Sequence, residues 1–278
     1  MTELHETAFL ETRKRIKNYG PVGQSDNLDN HVFERIQFQE QKRLANTKSV
    51  IYKVTQELGD KEVPDQEPDH DWTARFFSSV QDVSSEEMQI LWAKILAGQV
   101  ERPDSTSLRT LSVLQEMDRN TAELFKKFCS MCIYMETRDG VYDGRVCSLG
   151  KKAGVNSLQS YGLNFMDLNR LHEYGLVISD YDSAMDYSIS QQLKIKLSMP
   201  PSSSLPFRFQ DIWWYLMPFN NKNQVPDFKI IGPSLSISGM ELSRVVECKQ
   251  VPEFKEKLWN FFQTKNLRMM ESNITTIG

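Results

Sequence analysis

Apolar residues recur three and four apart between residues 84 and 100, where Met88, Leu91, Trp92, Ile95, Leu96 and Val100 share one helical face. Ser84 and Glu87 stand in capping-box relation, and Val83 and Met88 are placed to close a hydrophobic staple over that cap. Gly98 is a candidate end for this helix. Pro103 discourages any continuation, because it lacks a donor and restricts Arg102. Leu108, Leu111, Leu114 and Met117 form a second stripe, with Asp104 or Ser105 as the expected cap. Upstream, Trp72, Phe76, Phe77 and Val80 predict a shorter helix ending near Asp82. Three closely linked helices with one apolar face each bury those faces together, so the pattern predicts a helical bundle.

Residues 29–58 predict one long helix without Gly or Pro, whose stripe of Val32, Ile36, Leu44, Ile51, Val54 and Leu58 is thin. Such a helix either lies over the body of the protein or pairs with another subunit, which makes self-association through it an expectation. The acidic, Pro-containing stretch 59–70 reads as a linker that lets the long helix reorient. After the central stripes, Asp118 caps a further helix predicted to run to about Met135. Phe128, Cys129, Met131, Cys132, Ile133 and Met135 leave its second half few polar positions, the mark of a core helix. Asp139-Gly140 and Asp143-Gly144 are turn signals that would end the bundle.

The pattern then changes. Residues 163–178 predict a helix with Phe165, Leu168 and Leu171 inward, a left-handed cap at Gly175 and the start of a strand. Leu193, Ile195, Leu197 and Met199 alternate as in a half-buried strand, and the aromatic stretch 207–217 suits a buried strand or a short helix. Short strands are expected at 228–231 and 235–237. Ser238 and Glu241 form a second capping-box pair, and Pro252 opens a terminal helix carrying Phe254, Leu258, Phe261 and Phe262. The expected fold is mostly α with an α+β C-terminal part, a helical bundle followed by a winged-helix-like domain. Its divisions are a tail at 1–28, the long helix 29–58, the linker 59–70, the bundle 71–137 and the α+β part 138–278.

Composition narrows the class. At 278 residues, 40% hydrophobic and 25% charged, the chain is that of a globular protein of one large domain or two ordinary ones. A formal charge of -4 gives no global attraction for nucleic acid or anionic lipid. No apolar run approaches membrane-spanning length, and the opening MTELHETAFLETRKRIK lacks the apolar core of a secretory signal. Its basic patch, Arg13, Lys14, Arg15 and Lys17, suits a loosely held tail, or else an arm touching phosphate or a partner. Four cysteines in a chain of this length are not a disulfide framework, so a reducing, cytoplasmic setting is expected.

Recognisable catalytic chemistry is missing from the sequence. Cys129 and Cys132 would share a helical face, but a zinc site needs two further ligands, and thiols in an apolar helix are small core residues. The four histidines are scattered, and there is no phosphate loop, nucleophile elbow or metalloprotease motif. Neither a metal nor a cofactor is expected. The order helix, helix, strand pair after Lys151 is that of a winged helix, which would place Lys151, Lys152, Asn169, Arg170 and His172 against nucleic acid, although Asp167 and Glu173 repel phosphate. Arg75, Asp82, Arg102 and Arg109 border the central helices and are expected to form ion pairs that fix the bundle.

The stretch from Asp71 to Phe125 resembles an uncharacterised bacterial domain-of-unknown-function family with the run RFF, DVS, MQ-LWA-ILAGE, P-S-S-RTL. The residues that carry it include Trp72, Arg75, Phe76, Asp82, Trp92, Arg109 and Thr110, and it extends loosely to the C-terminal ISGMEL. Gln99 stands where a glutamate is usual, and Asp104 where a glycine is usual. The stretch is also similar, more distantly, to alpha-type abortive-infection proteins. That similarity implies anti-phage defence and brings no reaction with it. The leading expectation is a non-enzymatic homo-oligomer acting through protein contacts, with a phage-derived protein or another defence component as partner and no membrane. The alternatives are a winged-helix DNA-binding regulator and an effector enzyme with an unrecognised site.

Overall fold

Long-helix propensity is realised first. In the structure, a computed structural model, helix α1 (Ser25–Leu58) starts earlier than the pattern suggests. Described are residues 25–137, 140–151, 155, 157–187, 204–219 and 228–272. The chain divides into two compact units, 1–45 and 46–278, and α1 begins in the first and ends in the second. In the first unit every side chain from residue 30 to residue 42 is exposed. In the second, Val50 and Val54 are buried. Asn46 Nδ2 donates to Gln81 O at 2.8 Å, and Ser49 Oγ donates to Gln89 Oε1 at 2.8 Å. The last turns of α1 are therefore seated on the bundle.

The bundle helices follow their stripes, with shifted ends. Helix α2 (His70–Val80) is capped by Asp69, which accepts from Trp72 N at 2.9 Å, and buries Trp72, Phe76 and Val80 while Phe77 stays exposed. Helix α3 (Glu86–Glu101) has Ser85 as its N-cap, not Ser84. Ser85 Oγ donates to Glu87 Oε2, so the expected capping box does not form, and the helix runs through Gly98. Helix α4 (Leu108–Glu116) is capped by Ser107 rather than by Asp104 or Ser105. Leu111, Leu114 and Met117 are buried, but Leu108 at the helix entry is exposed. Asp104 takes φ 64°, the left-handed region, which glycine adopts freely and Asp tolerates better than most residues.

Helix α5 (Arg119–Met131) is capped by Asp118, which accepts from Thr121 N at 2.6 Å. It stops four residues earlier than predicted. Residues Cys132 to Met135 are not a core helix; they begin strand β1 (Cys132–Thr137), and all four are fully buried. A short run apolar on every side fits a buried strand and a buried helix equally, so periodicity could not separate them. Strand β2 (Gly140–Val146) pairs antiparallel with β1 and carries Asp143-Gly144 inside the strand, not in a turn. Gly144 is needed for close approach, since a Cβ there would lie 2.7 Å from Leu235 Cδ1.

A 3-10 turn (Gln159–Tyr161) precedes helix α6 (Phe165–Glu173), where Asn164 and Asp167 form a reciprocal capping box. Leu168 and Leu171 are buried as predicted, but Phe165 is 56% exposed. Gly175 takes φ 72°, and the bonds from Gly175 N to His172 O and from Leu176 N to Leu171 O complete a Schellman ending. The short strands β3 (Val177–Ile178) and β4 (Ala184–Asp186) do not pair with one another. The strand expected at 188–199 lies outside the described residues.

The aromatic stretch is a hairpin of β5 (Leu205–Phe209) and β6 (Ile212–Pro218), joined by Gln210 and Asp211 at φ 52° and 60°. Two successive positive φ values give the turn whose twist suits a two-residue hairpin. Strands β7 (Lys229–Ile231) and β8 (Ser234–Leu235) lead to helix α7 (Ile237–Ser243), capped by Ser236 rather than Ser238. Helix α8 (Pro252–Thr264), with Pro252 in its first turn, buries Phe254, Leu258 and Phe262 and is followed by β9 (Leu267–Glu271). Among the described residues the main sheet has the order β3-β8-β2-β1-β5-β6-β9, with antiparallel pairs throughout, and β4 and β7 form a second sheet. The fold is mixed α/β.

A buried polar latch holds the second sheet to β2. Asp143 and Arg145, two apart on one strand, form a double hydrogen bond at 2.8 and 3.1 Å. Arg145 Nη1 donates to Ser183 O at 3.2 Å, and the Tyr187 hydroxyl donates to Asp143. Burial alone would lower the Arg145 pKa; the hydrogen bonds and charge of Asp143 outweigh it and hold the guanidinium charged.

Hydrogen bonds from Thr121, chiefly its amide, hold the Asp118 carboxyl below its ordinary pKa. Its stabilisation is therefore present above the unfolded carboxylate range and is lost as pH falls through the folded value. Asp118→Ala should cost about 1 kcal/mol at neutral pH in denaturant unfolding, and the difference should close in acid. Gly239→Ala, whose Cβ would lie 2.0 Å from Leu176 O, should destabilise by about 3 kcal/mol in the same measurement.

Candidate functional site

Two distant stretches meet at the N-terminus of α4. Glu241, on α7, turns away from its own helix start, and its Oε2 accepts from Ser107 N at 2.8 Å, Ser107 Oγ at 3.0 Å and Thr110 Oγ1 at 2.6 Å. A carboxylate placed there satisfies orphan donors and opposes the positive end of the helix. The S-RTL and ISGMEL segments, the two parts of the family resemblance, are thereby joined. Thr110 is fully buried at this junction.

Beside the junction lies a cavity of about 310 Å³. Its floor comes from α3 and the loop after it, with Gly98, Ser105 and Thr106. Gln99 is buried and braces that loop, accepting from Thr106 N at 3.0 Å and Ser105 Oγ at 3.3 Å. Here the amide does work that accepting groups alone require, so a carboxylate at the same place could accept these bonds too. Two ion pairs border the cavity, Lys61 with Glu101 at 2.6 Å and Lys94 with Glu247 at 2.5 Å. Two arginines also line it, each the C-terminal cap residue of a helix: Arg102 on α3 and Arg244 on α7.

The sequence-selected residues divide into three groups. Trp72, Phe76 and Trp92 form a buried aromatic cluster, with Trp72 stacked on Phe76 at 5.3 Å and Phe76 edge-on to Trp92 at 5.5 Å. These three are core. Arg75, Arg102 and Arg109 are exposed and make no ion pair among the described residues, so the expected charge bracing of the bundle is not theirs. Asp82 is exposed at the end of the first turn after α2.

Of the nucleic-acid set, Asn169, Arg170 and His172 lie together on α6. Lys151, Arg170 and His172 are exposed, Asn169 is half-buried, and Lys152 lies outside the described residues. His172 Nδ1 is 3.0 Å from Val177 O, and Arg170 lies close enough to Asp118 to lower its pKa. Cys129 ends in α5 while Cys132 opens β1, so the pair does not share a helical face. Burial pushes both thiols up, and Cys248 to about 11, which leaves them uncharged at neutral pH and chemically quiet.

Sequence reasoning missed Arg244 altogether and assigned Glu241 to a local cap. The signal available was the resemblance itself, which touched both segments without saying that they meet.

A family model described as "Protein of unknown function (DUF2806)" matches residues 30–259, and the chain belongs to that family. Searches of the curated proteins and of the solved structures find no match.

The junction makes a quantitative demand. Glu241→Gln should cost about 2 kcal/mol in equilibrium unfolding, because hydrogen bonds to a charged acceptor are the strong ones. A double-mutant cycle with Thr110→Val should show coupling of at least about 0.5 kcal/mol, and additive losses would mean the contact carries no energy.

Proposed function

We propose that the protein acts through contacts with other protein chains, the first of them a second copy of itself, and that α1 supplies that contact. The supporting observation is the exposed run at residues 30–42, in which Val32 is 39%, Phe33 67% and Ile36 49% exposed. Val50 follows Val32, and Val54 follows Ile36, by a whole number of turns at about 3.6 residues per turn. One stripe of the helix is thus core at its end and uncovered at its start. A helix without tertiary packing is marginal in water, so a partner that removes this stripe from solvent stabilises it. Glu34 and Glu40 alternate with Arg35, Lys42 and Arg43, so a second copy meets charges of both signs and no single-sign field.

The phage-defence setting rests on the abortive-infection resemblance of the central stretch. In that setting the further partner is a phage-derived protein or another defence component, encountered in the cytoplasm. The competing reading, a winged-helix DNA-binding regulator, draws on the exposed Lys151, Arg170 and His172. Asp118 beside Arg170 and the exposed Glu173 on the same helix weigh against a phosphate-binding face.

Light scattering on the full chain should give a dimer or larger species, and Phe33→Glu with Ile36→Glu should give a folded monomer. A monomeric wild-type protein refutes the self-association. A peak carrying nucleic acid that is lost with Arg170→Glu moves the function to the DNA reading.

A further inference from the structure

The cavity beside the α4 junction is lined by five carboxylates and four cations, and two of those cations have no ion-pair partner among the described residues. Arg102 and Arg244 face it from different helices, and neither forms an ion pair among the described residues. Arg244 Nη1 donates to Ser105 O at 3.2 Å, but its Nε is buried without any hydrogen-bond partner. A buried donor left without a partner is costly, and a charged one more so. Burial, then the like charge of Arg102, lower the Arg244 pKa, against a smaller opposing pull from Glu241 and Glu136. Glu241 is the acid best placed to answer, yet its Oε2 is committed to Ser107 and Thr110 on α4. Lys61 and Lys94, the other cations of the cavity, already have Glu101 and Glu247.

We propose that this cavity is a binding site for a small oxyanion-bearing ligand, whose phosphate or carboxylate group seats between the guanidiniums of Arg102 and Arg244. Planar guanidinium donors match the oxygen geometry of both groups and can bind them with paired hydrogen bonds. An anionic oxygen between the two guanidiniums offsets the like charge that each presents to the other. Volume and charge set the rest of the ligand. About 310 Å³ lies at the lower end of small-molecule sites, and Glu57, Asp211 and Glu241 on the lining repel a polyanion. The ligand therefore carries one oxyanion on a small body, and nucleic acid is excluded. The same acids suit a ligand whose remaining part is neutral or cationic. This inference is independent of self-association through α1.

The test is calorimetric titration of the full chain with inorganic phosphate and, separately, with acetate, at fixed ionic strength. Saturable binding of either probe is expected; phosphate alone assigns the site to phosphate esters, and acetate alone assigns it to carboxylates. Arg244→Gln should weaken binding at least about tenfold. Without probe it should unfold at the wild-type temperature or above, because it removes the unsatisfied charged donor. Arg102→Gln, at an exposed position, should also weaken binding and keeps the test valid if Arg244→Gln does not fold. Absence of saturable binding of both probes to the wild-type chain overturns the proposal, as does unchanged binding by the two variants.

Discussion

The strand β1 is the constraint to which the rest of the structure answers. Cys132, Ile133, Tyr134 and Met135 are all fully buried, so both faces of the strand must be covered and both edges must be paired. Strand β2 takes one edge and β5 the other, which places β1 at the centre of the sheet. Because α5 ends at Met131 and β1 begins at the next residue, the last bundle helix is tied to the sheet without a linker. Bundle and sheet share one continuous core from Val50 to Met269. A buried strand flanked by local hairpins and a bundle folds as one unit more readily than as separable parts.

Two polar devices then fix what apolar packing leaves free. Hydrophobic burial is non-directional, whereas a buried hydrogen-bonded charge tolerates one arrangement. The Asp143, Arg145 and Tyr187 latch sets the second sheet against β2. Glu241 sets α7 against α4 across 131 residues of sequence. In both, every charge has a partner of opposite sign or a hydrogen-bond donor, and the low dielectric around them strengthens the pairing. Arg244, just beyond Glu241 at the end of α7, and Arg102, at the end of α3, lack such an answer. That contrast within one fold is what separates a structural polar group from a candidate binding group.

The uncovered half of α1 belongs to the same logic in apolar form. Its stripe changes from covered to exposed along one helix, with no change in residue type to match. Ser25–Leu58 is a single helix whose buried apolar residues, Val50 and Val54, lie near its end.

Much of the fold was legible along the chain. The stripes of α2, α3, α4 and α8, the Asp118 cap, the Gly175 ending and the first-turn Pro252 follow from local sterics and periodicity, which act over one or two turns. Errors fell where local rules were degenerate. Cys132 to Met135 satisfy the apolar demands of helix and strand alike, and only the sheet's need for a central strand chose between them. Asp143-Gly144 carries a turn signature, but Leu235 across the sheet requires that glycine for space. Gln210 and Asp211 form a hairpin turn without the usual Asn-Gly signal, because pairing of β5 with β6 imposes it. The site was the least legible part. Residue spacing records neighbours within a few residues, whereas Glu241 meeting Thr110, and Arg102 facing Arg244, depend on where whole helices end in space. The sequence by itself determined the elements and their caps; the tertiary structure alone decided which charges found partners and which did not.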